Sequence, residues 1–211
     1  MARTIPSASR RGGAPTRPMT SEPVPAKGEI RRKLRAWLQS LSGAERAVAS
    51  AGARDLLRQQ PVWRRAQSVL FYAPMPSELD LWPLLLEGLR DGKTIALPRY
   101  LAESDGYAAF QIHDAAADCA PGAFGITEPA ARCASFPLKR LDLVLVPGVG
   151  FDAAGRRLGR GRGFYDRLLA QANGIKCGVA FDPQLVERIP EERHDVPMNC
   201  ILTPTRWLQI K

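Results

Sequence analysis

Leu141-Asp-Leu-Val-Leu-Val146 is the run that decides the fold, because apolar residues fill it almost without interruption and without period-two alternation. A strand with this pattern is buried on both faces, which is typical of a parallel sheet covered by helices on both sides. Shorter runs of β-forming residues alternate with helical patterns along the chain, at residues 68–73, 94–97, 108–112, 176–181 and 200–202. We therefore expect an α/β fold: a single three-layer domain with a mostly parallel sheet flanked by helices, in an open Rossmann-like topology.

Helical patterns lie before, between and after these runs. Apolar residues at three- and four-residue steps predict a first helix from residue 27 onward. Its apolar stripe comprises Ile30, Leu34, Trp37, Leu38 and Leu41. Ser42, followed three residues later by Glu45, has the form of a capping box and predicts a second helix that ends at Pro61. Further helices are expected over residues 79–90 and 164–172, and Pro98 is expected to close the strand at 94–97.

The first 26 residues differ in composition from the rest of the chain. They are rich in Ser, Thr, Pro, Gly, Ala and Arg without apolar periodicity, which predicts a disordered basic tail before a domain spanning residues 27–211. An Arg-rich, acid-poor tail also resembles an organelle transit peptide, although a convincing amphipathic helix is lacking. No apolar run approaches the ~20 residues needed to span a membrane. The four scattered cysteines are typical of reduced thiols. We expect a cytoplasmic protein, with a mitochondrial location as the alternative.

The charge balance indicates an anionic partner. The 30 Lys and Arg residues exceed the 21 acidic residues, and the formal net charge is +9. Such an excess favours either nucleic acid or a nucleotide with an acidic co-substrate. Outside the tail, the basic residues cluster at 27–35 and 156–167, which suits a phosphate-bearing ligand better than a long duplex. Aromatic residues are few and are not interleaved with these clusters as stacking platforms would be. Nucleic-acid binding therefore stays the alternative hypothesis.

One loop carries residues suited to phosphate chemistry. It leaves the decisive strand and enters a helix, with the sequence Pro147-Gly-Val-Gly-Phe-Asp-Ala-Ala-Gly-Arg-Arg-Leu-Gly-Arg-Gly-Arg-Gly-Phe-Tyr-Asp166. Ligands of open α/β sheets bind at the carboxyl ends of strands, where this loop begins. Glycines let backbone N–H groups converge on an anion, and arginines add bidentate donors. Asp166, in the first helical turn, is suited to hold Mg²⁺ against phosphate oxygens. A flexible loop on a basic surface with an ordinary helix-stabilising acid would have the same composition.

The order of residues in this loop resembles a known signature. Gly159-Arg-Gly-Arg-Gly-Phe-Tyr-Asp166, preceded by Leu143-Val-Leu-Val-Pro-Gly-Val-Gly-Phe-Asp152, is similar to that of the 5-formyltetrahydrofolate cyclo-ligase family. Other blocks match in the same order: Lys27-Gly-Glu-Ile-Arg31, Leu41-Ser-x-x-Glu45-Arg46, Phe71-Tyr-x-x-Met75-x-x-Glu78-x-Asp80, Pro98-Arg-Tyr100, Gly122-x-Phe-Gly-Ile-x-Glu-Pro129 and His194-Asp-x-Pro197. The resemblance covers residues 27 to about 207. Each block is weak alone, and their ordered set is strong.

The resemblance implies an activity and its ligands. Family members bind MgATP and 5-formyltetrahydrofolate and release 5,10-methenyltetrahydrofolate, ADP and phosphate. ATP phosphorylates the formyl oxygen, and N10 of the folate then attacks the activated carbon. Such a reaction needs positioned ligands and neutralised phosphoryl charge more than a protein nucleophile. We accordingly expect ATP as co-substrate, Mg²⁺ as cofactor, a monomer, and neither nucleic acid nor membrane as partner.

The resemblance also assigns roles to individual residues. Nucleotide binding falls to Lys27, Arg31, Arg157, Leu158, Gly159, Arg160, Gly161, Arg162, Gly163, Phe164 and Tyr165. Folate binding falls to Ala73, Met75, Glu78, Arg160, Gly161, Arg162, Gly163 and Phe164. The catalytic candidates are Arg160, Arg162 and Tyr165. On spacing alone, Lys27 and Arg31 would equally describe a solvated basic helix face.

The metal site is where the sequence departs from the family. Its candidate ligands are Asp166 and Asn199, and the latter stands where relatives commonly carry a second aspartate. An amide offers a carbonyl oxygen but no charge, whereas Mg²⁺ favours carboxylates. A paralogue with a changed substrate therefore remains a second alternative.

Overall fold

The computed structural model describes residues 26–122 and 125–210. The predicted disorder of the tail concerns residues that lie, apart from residue 26, outside these ranges. Across the two described ranges, no helix combines the length and apolar character required to cross a bilayer.

Five α-helices and twelve strands make up the described chain. The helices are α1 (Lys27–Ser40), α2 (Gly43–Gln59), α3 (Pro61–Arg65), α4 (Trp82–Arg90) and α5 (Phe164–Leu169). The first six strands are β1 (Ser68–Leu70), β2 (Thr94–Leu101), β3 (Gly106–Ile112), β4 (Cys119–Pro121), β5 (Thr127–Pro129) and β6 (Leu143–Pro147). The other six are β7 (Gly150–Asp152), β8 (Arg157–Leu158), β9 (Ile175–Val179), β10 (Leu185–Val186), β11 (Cys200–Leu202) and β12 (Trp207–Gln209).

A seven-stranded sheet forms the middle layer, in the order β12-β11-β9-β6-β1-β2-β3. The five central strands run parallel, and the two edge strands, β12 and β3, are antiparallel to their neighbours. The predicted mostly parallel sheet is thereby confirmed. From β1 the chain winds outward to β2 and β3, and it then returns to β6 and winds the other way. The switch point lies between β1 and β6, which is where such sheets bind ligands.

Helices cover both faces of this sheet because its central strands are apolar on both sides. In β6, Leu143 and Leu145 belong to the core shared with α2, α3 and α4, whereas Val144 and Val146 pack on the side of α5. The decisive run is therefore buried on both faces, as its pattern predicted. The four cysteines are free thiols, and Cys177 and Cys200 are buried in the core.

The N-terminal helices follow the sequence pattern closely. Ile30, Leu34 and Leu38 of α1 are buried, and Ser42 accepts a hydrogen bond from the Glu45 backbone N–H in a complete capping box. The end of α2 before Pro61 is also as predicted. That proline additionally begins α3, a short helix that the sequence did not reveal.

The prediction that Pro98 closes its strand was wrong, because β2 continues to Leu101. The Ala96 carbonyl accepts from the Phe71 N–H and so points toward β1. Position 98, two residues further on, points to the same side, but the β1 pairing ends at Leu70 and Ala96. No ladder donor is needed there, so a residue without an N–H is tolerated.

A small second sheet, in the order β10-β7-β8, lies beside α1 and leads into residues 157–166, the glycine–arginine loop. Leu158 of β8 is fully buried in a cluster with Ile30 and Leu34 of α1 and with Val149. This packing fixes the start of the loop against the N-terminal helix.

Candidate active site

A cavity of about 330 Å³ opens at the switch point between β1 and β6. Its floor is formed by residues at the carboxyl ends of these strands, namely Tyr72 and Ala73 after β1 and Pro147 and Gly148 at the end of β6. One wall is the loop after β1, and a second is the glycine–arginine loop with the start of α5. The remaining wall comes from β2, β3 and the β4–β5 hairpin, through Pro98, Tyr107, Ile126, Thr127 and Glu128.

Asp152, at the end of β7, shapes the approach to the glycine–arginine loop. Its buried carboxylate accepts hydrogen bonds from the backbone N–H groups of Ala154, Arg156 and Ile189. Further along the loop, Gly161 and Gly163 have φ values of 106° and 66°, a region that residues with a Cβ rarely adopt. The tight path that aims the arginines at the cavity therefore depends on glycine at these two positions.

An ion pair joins the two ends of this loop. Nη2 of Arg157 lies 2.6 Å from Oδ1 of Asp166, and the two side chains are only 5% and 18% exposed. Nε of Arg157 is buried without a hydrogen-bond partner among the described residues. Because a buried charge is costly unless paired, Asp166 neutralises Arg157 while it faces the cavity.

A second ion pair crosses the cavity. Nη2 of Arg160 lies 2.8 Å from Oε1 of Glu78. The other carboxylate oxygen of Glu78 accepts from the Met75 N–H at 3.0 Å. Arg46 also contacts the loop after β1, which carries Glu78. Its guanidinium donates hydrogen bonds to the carbonyls of Pro76, Leu38 and Leu41. The loop after β1 is thereby fixed to the end of α1.

Aromatic rings line the side of the cavity below α5. The Tyr107 ring centroid lies 5.5 Å from that of Phe164 and 5.8 Å from that of Tyr165. Burial, followed by the nearby Glu78 carboxylate, raises the pKa of the Tyr165 hydroxyl far above its ordinary value. Burial and then the Glu128 carboxylate likewise raise the pKa of Tyr107. Both hydroxyls therefore stay protonated at neutral pH and are available as neutral hydrogen-bond donors.

Helix α1 contacts two loops through its two basic candidates. Nε of Arg31 donates to the carbonyl of Gly159 at 2.9 Å. Nζ of Lys27 lies 2.8 Å from Asp195 and 3.1 Å from Glu192. Burial alone would lower the Lys27 pKa, but hydrogen bonds to these carboxylates outweigh it and the pKa is raised. The two side chains thus tie α1 to the loops on either side of it.

Most of the residues named from sequence meet at this cavity. Those lining it are Ala73, Met75, Glu78, Arg157, Gly159, Arg160, Arg162, Gly163, Phe164, Tyr165 and Asp166. Four other candidates do not line it: Lys27 is paired with Asp195, Arg31 donates to the Gly159 carbonyl, Gly161 lies in the exposed part of the loop, and Leu158 is in the core under α1.

The assignment of Asn199 to the metal site needs correction. Asn199 precedes β11 and lies beside Lys176 at the amino end of β9, whereas the cavity lies at the carboxyl ends of the strands. Its side-chain oxygen accepts from the Lys176 N–H at 2.8 Å. The structure therefore gives this side chain a role in sheet pairing and does not bring it to Asp166. A match in the order of residues could not reveal that Asn199 lies at the amino ends of the strands, whereas Asp166 lies at the cavity near their carboxyl ends.

Several cavity residues were not singled out from sequence. They are Tyr72, Pro98, Tyr107, Ile126, Thr127, Glu128, Pro147 and Gly148. All of them except Tyr107 and Thr127 stand within the blocks that carried the family resemblance, and that was the available signal. Tyr107 comes from an antiparallel edge strand whose place in the sheet was not predictable locally.

The fold and the cavity define this chain as an α/β enzyme with its site at the carboxyl edge of a parallel sheet. Comparison with known proteins narrows that class. Residues 23–204 match the model of the 5-formyltetrahydrofolate cyclo-ligase family, and the chain belongs to this family of ligases.

Individual relatives agree with this placement. The chain is 36% identical over 145 residues to the 5-formyltetrahydrofolate cyclo-ligase of Escherichia coli, covering 67% of this chain and 80% of that one. Its identity to the Haemophilus influenzae enzyme of the same name is 33% over 177 residues, covering 81% and 92%. A solved structure, the 5,10-methenyltetrahydrofolate synthetase of Aquifex aeolicus, superposes with a TM-score of 0.79 at 34% identity and covers 88% of this chain and 93% of that one.

Proposed function

We propose that this protein converts 5-formyltetrahydrofolate to 5,10-methenyltetrahydrofolate, using ATP with Mg²⁺ and releasing ADP and phosphate. The observation that carries the proposal is the cavity at the switch point, where the glycine–arginine loop faces the Glu78 loop. Cationic donors suited to phosphate and a carboxylate suited to ring N–H groups thus meet in one site. The family to which the chain belongs supplies the reaction.

In this reaction the formyl oxygen attacks the γ-phosphorus of ATP and ADP leaves. The folate N10 then attacks the formyl carbon and loses its proton, and departure of phosphate leaves the methenyl bridge. No step needs a protein nucleophile. The chain has to align three reacting groups and neutralise charge as it moves, which is how phosphoryl transfer is generally catalysed.

We assign charge neutralisation to Arg160 and Arg162, whose side chains line the cavity. Arg160 is 47% exposed and held by one ion pair, so it can turn toward a phosphate at modest cost. Tyr165 acts as a neutral donor to an oxygen of the reacting centre, since its raised pKa keeps the proton in place. The backbone N–H groups around Gly161 and Gly163 add further donors to the phosphates.

We assign supporting parts to the α1 residues. Arg31 holds the Gly159 carbonyl, and that contact keeps the loop next to the helix. Lys27 keeps α1 against the loop that carries Asp195, and it presents a positive charge to incoming phosphates. Leu158 contributes by packing, because its side chain is fully buried.

Asp166 fits the part of the protein ligand for Mg²⁺. Its carboxylate lines the cavity at the start of α5, beside the loop assigned to the phosphates, and carboxylate oxygens are ligands that Mg²⁺ prefers. When bound, the ion would offset phosphate charge. Arg157 orients Asp166 through their ion pair.

The folate ring is assigned to the wall formed by the loop after β1. Ala73, Met75 and Phe164 offer apolar surface for a flat ring, and Glu78 offers acceptors for its N–H groups. Pterin binding would replace Arg160 as a partner of Glu78. We further propose that the protein acts as a cytoplasmic monomer.

The decisive experiment mixes the purified protein with MgATP and 5-formyltetrahydrofolate and follows the absorbance of the methenyl product together with ADP release. The expected result is product formation coupled one to one with ATP consumption. A matched pair of variants, Arg160→Ala in the loop and Arg65→Ala on the exposed end of α3, should respectively abolish and preserve turnover. Folded protein that neither forms product nor consumes ATP would contradict the proposal. ATP consumption without the methenyl product would indicate a changed substrate.

A further inference from the structure

Glu128 is a buried carboxylate on the wall of the cavity. It lies in β5, whose hairpin with β4 packs beside β2, and its relative exposure is 7%. Within residues 26–122 and 125–210, the carboxylate receives one hydrogen bond, from the Tyr100 N–H at a long 3.3 Å. It takes part in no ion pair there. A carboxylate removed from water in this way is costly unless a partner compensates it.

A cation that contacts the hairpin next to Glu128 serves another purpose. The Arg99 guanidinium donates to the carbonyls of Pro129 and Ala130 and lies over the Phe110 ring. It fixes the end of the hairpin and forms no ion pair with the Glu128 carboxylate. The protein therefore places this acid in the cavity wall without an ion-pair partner among the described side chains.

The hairpin also makes room for the carboxylate. A Cβ at Gly122 would stand 2.4 Å from Oε2 of Glu128, far inside van der Waals contact. Gly122 pairs with the far side of the turn through its N–H and the Ile126 carbonyl. Local geometry is thus arranged around a side chain that the fold itself does not use for an ion pair, which is typical of a functional position.

We propose that Glu128 is a second carboxylate that binds the N–H groups of the reduced pterin ring and so helps to select a folate as the substrate. This inference rests on the proposed function. A reduced pterin carries an exocyclic amino group and ring N–H groups on different edges, and a single carboxylate such as Glu78 can face only one edge. Glu78 comes from the loop after β1 and Glu128 from the β4–β5 hairpin, so the two acids approach from different walls of one cavity. Hydrogen bonds to an ionised acceptor are the strong ones, and a desolvated site strengthens them further.

The test compares ligand affinities in three variants and one control. Glu128→Ala removes both acceptor oxygens, and Glu128→Gln keeps one of them and the shape. Gly122→Ala displaces the carboxylate without removing it. The control is Glu103→Gln, an exposed acid outside the cavity. Equilibrium binding of 5-formyltetrahydrofolate without nucleotide and of ATP without folate is measured for each, together with the KM of each substrate.

We expect Glu128→Ala to weaken 5-formyltetrahydrofolate binding about tenfold or more, which corresponds to about 1.4 kcal/mol. Glu128→Gln and Gly122→Ala should show the same defect in smaller measure, and ATP affinity should stay within about twofold in all variants. The Glu103→Gln protein should behave as the wild type. If Glu128→Ala fails to fold, the other two variants carry the test.

Two outcomes would overturn the inference while the proposed function stands. In the first, the wild-type enzyme forms product, but none of the substitutions at residues 122 and 128 changes the affinity for 5-formyltetrahydrofolate. The other is a loss confined to ATP, which would place the adenine amino group against Glu128. Failure of the wild-type protein to bind 5-formyltetrahydrofolate at all would instead overturn the proposed function, and this inference with it.

Discussion

Nη2 of Arg160 lies 2.8 Å from Oε1 of Glu78, so an ion pair joins residues 82 positions apart across the cavity. Each partner comes from a different wall: Glu78 from the loop after β1 and Arg160 from the loop that precedes α5. Phosphate and pterin are the ligands proposed for these two side chains. Phosphate binding to Arg160 would free Glu78 for the pterin, and pterin binding to Glu78 would free Arg160 for the phosphate. The proposed site therefore couples the binding of its two substrates.

The first prediction concerns Glu78→Gln. The ion pair is half-exposed on the arginine side, and such pairs contribute about 1 kcal/mol or less to stability. We expect the melting temperature to fall by no more than about 4 °C. The KM for 5-formyltetrahydrofolate should rise at least about tenfold through loss of a charged acceptor. Steady-state kinetics with each substrate varied in turn, beside thermal melts, measures both effects. A large loss of stability with unchanged KM would show that the pair is structural.

The second prediction concerns Asp166→Asn. Turnover should fall by at least about 100-fold if the carboxylate serves the metal and phosphates, which amounts to about 2.7 kcal/mol of transition-state stabilisation. Stability should also fall, by about 3 kcal/mol, because the buried Arg157 loses its counter-charge. Thermal melts and single-turnover rates separate the two effects. Asp91→Asn, on the exposed end of α4, is the matched control. Turnover of Asp166→Asn equal to that of the wild type would show that Asp166 acts only as the ion-pair partner of Arg157 and not in catalysis.

A third prediction follows from the place of Asn199. The Asn199→Asp variant keeps an oxygen for the Lys176 N–H and stands at the amino edge of the sheet. We expect the Mg²⁺ concentration at half-maximal activity to change by less than about twofold. A titration of initial rates against Mg²⁺ measures this at saturating ATP. Clearly tighter Mg²⁺ dependence would contradict the position that the structure gives the residue.

The fourth prediction is a dependence of stability on acid pH. Burial alone would raise the Asp195 pKa, but the hydrogen bonds from Lys27 and from the Glu192 N–H, together with the positive charge of Lys27, outweigh it and the pKa is lowered. The ordinary pKa of aspartate is about 3.9, so the paired carboxylate stabilises the fold above that pH and loses this contribution as the pH falls through its lowered value. Asp195→Asn should therefore lower the melting temperature at pH 7 and reduce its difference from the wild type below about pH 4.

Melts of both proteins between pH 3 and pH 7 measure this dependence. The exposed Glu187→Gln is the control, and it should follow the wild type throughout. Identical curves for Asp195→Asn and the wild type would show that the contact between Lys27 and the 192–195 segment adds nothing to stability.

The sequence predicted those elements whose pattern is local. The stripe from Ile30 to Leu41 and the Ser42 capping box fix α1 and the start of α2 through contacts within a few residues. Boundaries were less well predicted: β1 ends at Leu70 and α4 begins only at Trp82. The antiparallel strand β12 and the small sheet around β7 were not predicted. Such short strands are stabilised by pairing with strands far along the chain, and local sequence does not show this pairing.

The candidate site divides in the same way. The loop from Arg157 to Asp166 could be named because its glycines, arginines and acid are contiguous. Tyr107 and Glu128 could not be given a role, since they reach the cavity from an edge strand and a hairpin placed by the sheet order. Asn199 was misplaced for the converse reason, since proximity to a motif in sequence does not specify which edge of the sheet a residue occupies.

By itself, then, the sequence determined a parallel α/β fold, a glycine–arginine loop after its most buried strand, and membership of a recognisable family, because hydrophobic period and contiguous motifs are local properties of the chain. Only the tertiary structure decided that Glu78 meets Arg160, that Glu128 enters the same cavity and that Asn199 lies elsewhere. These relationships depend on strand order and register, which arise when distant segments pack together and bury their apolar faces.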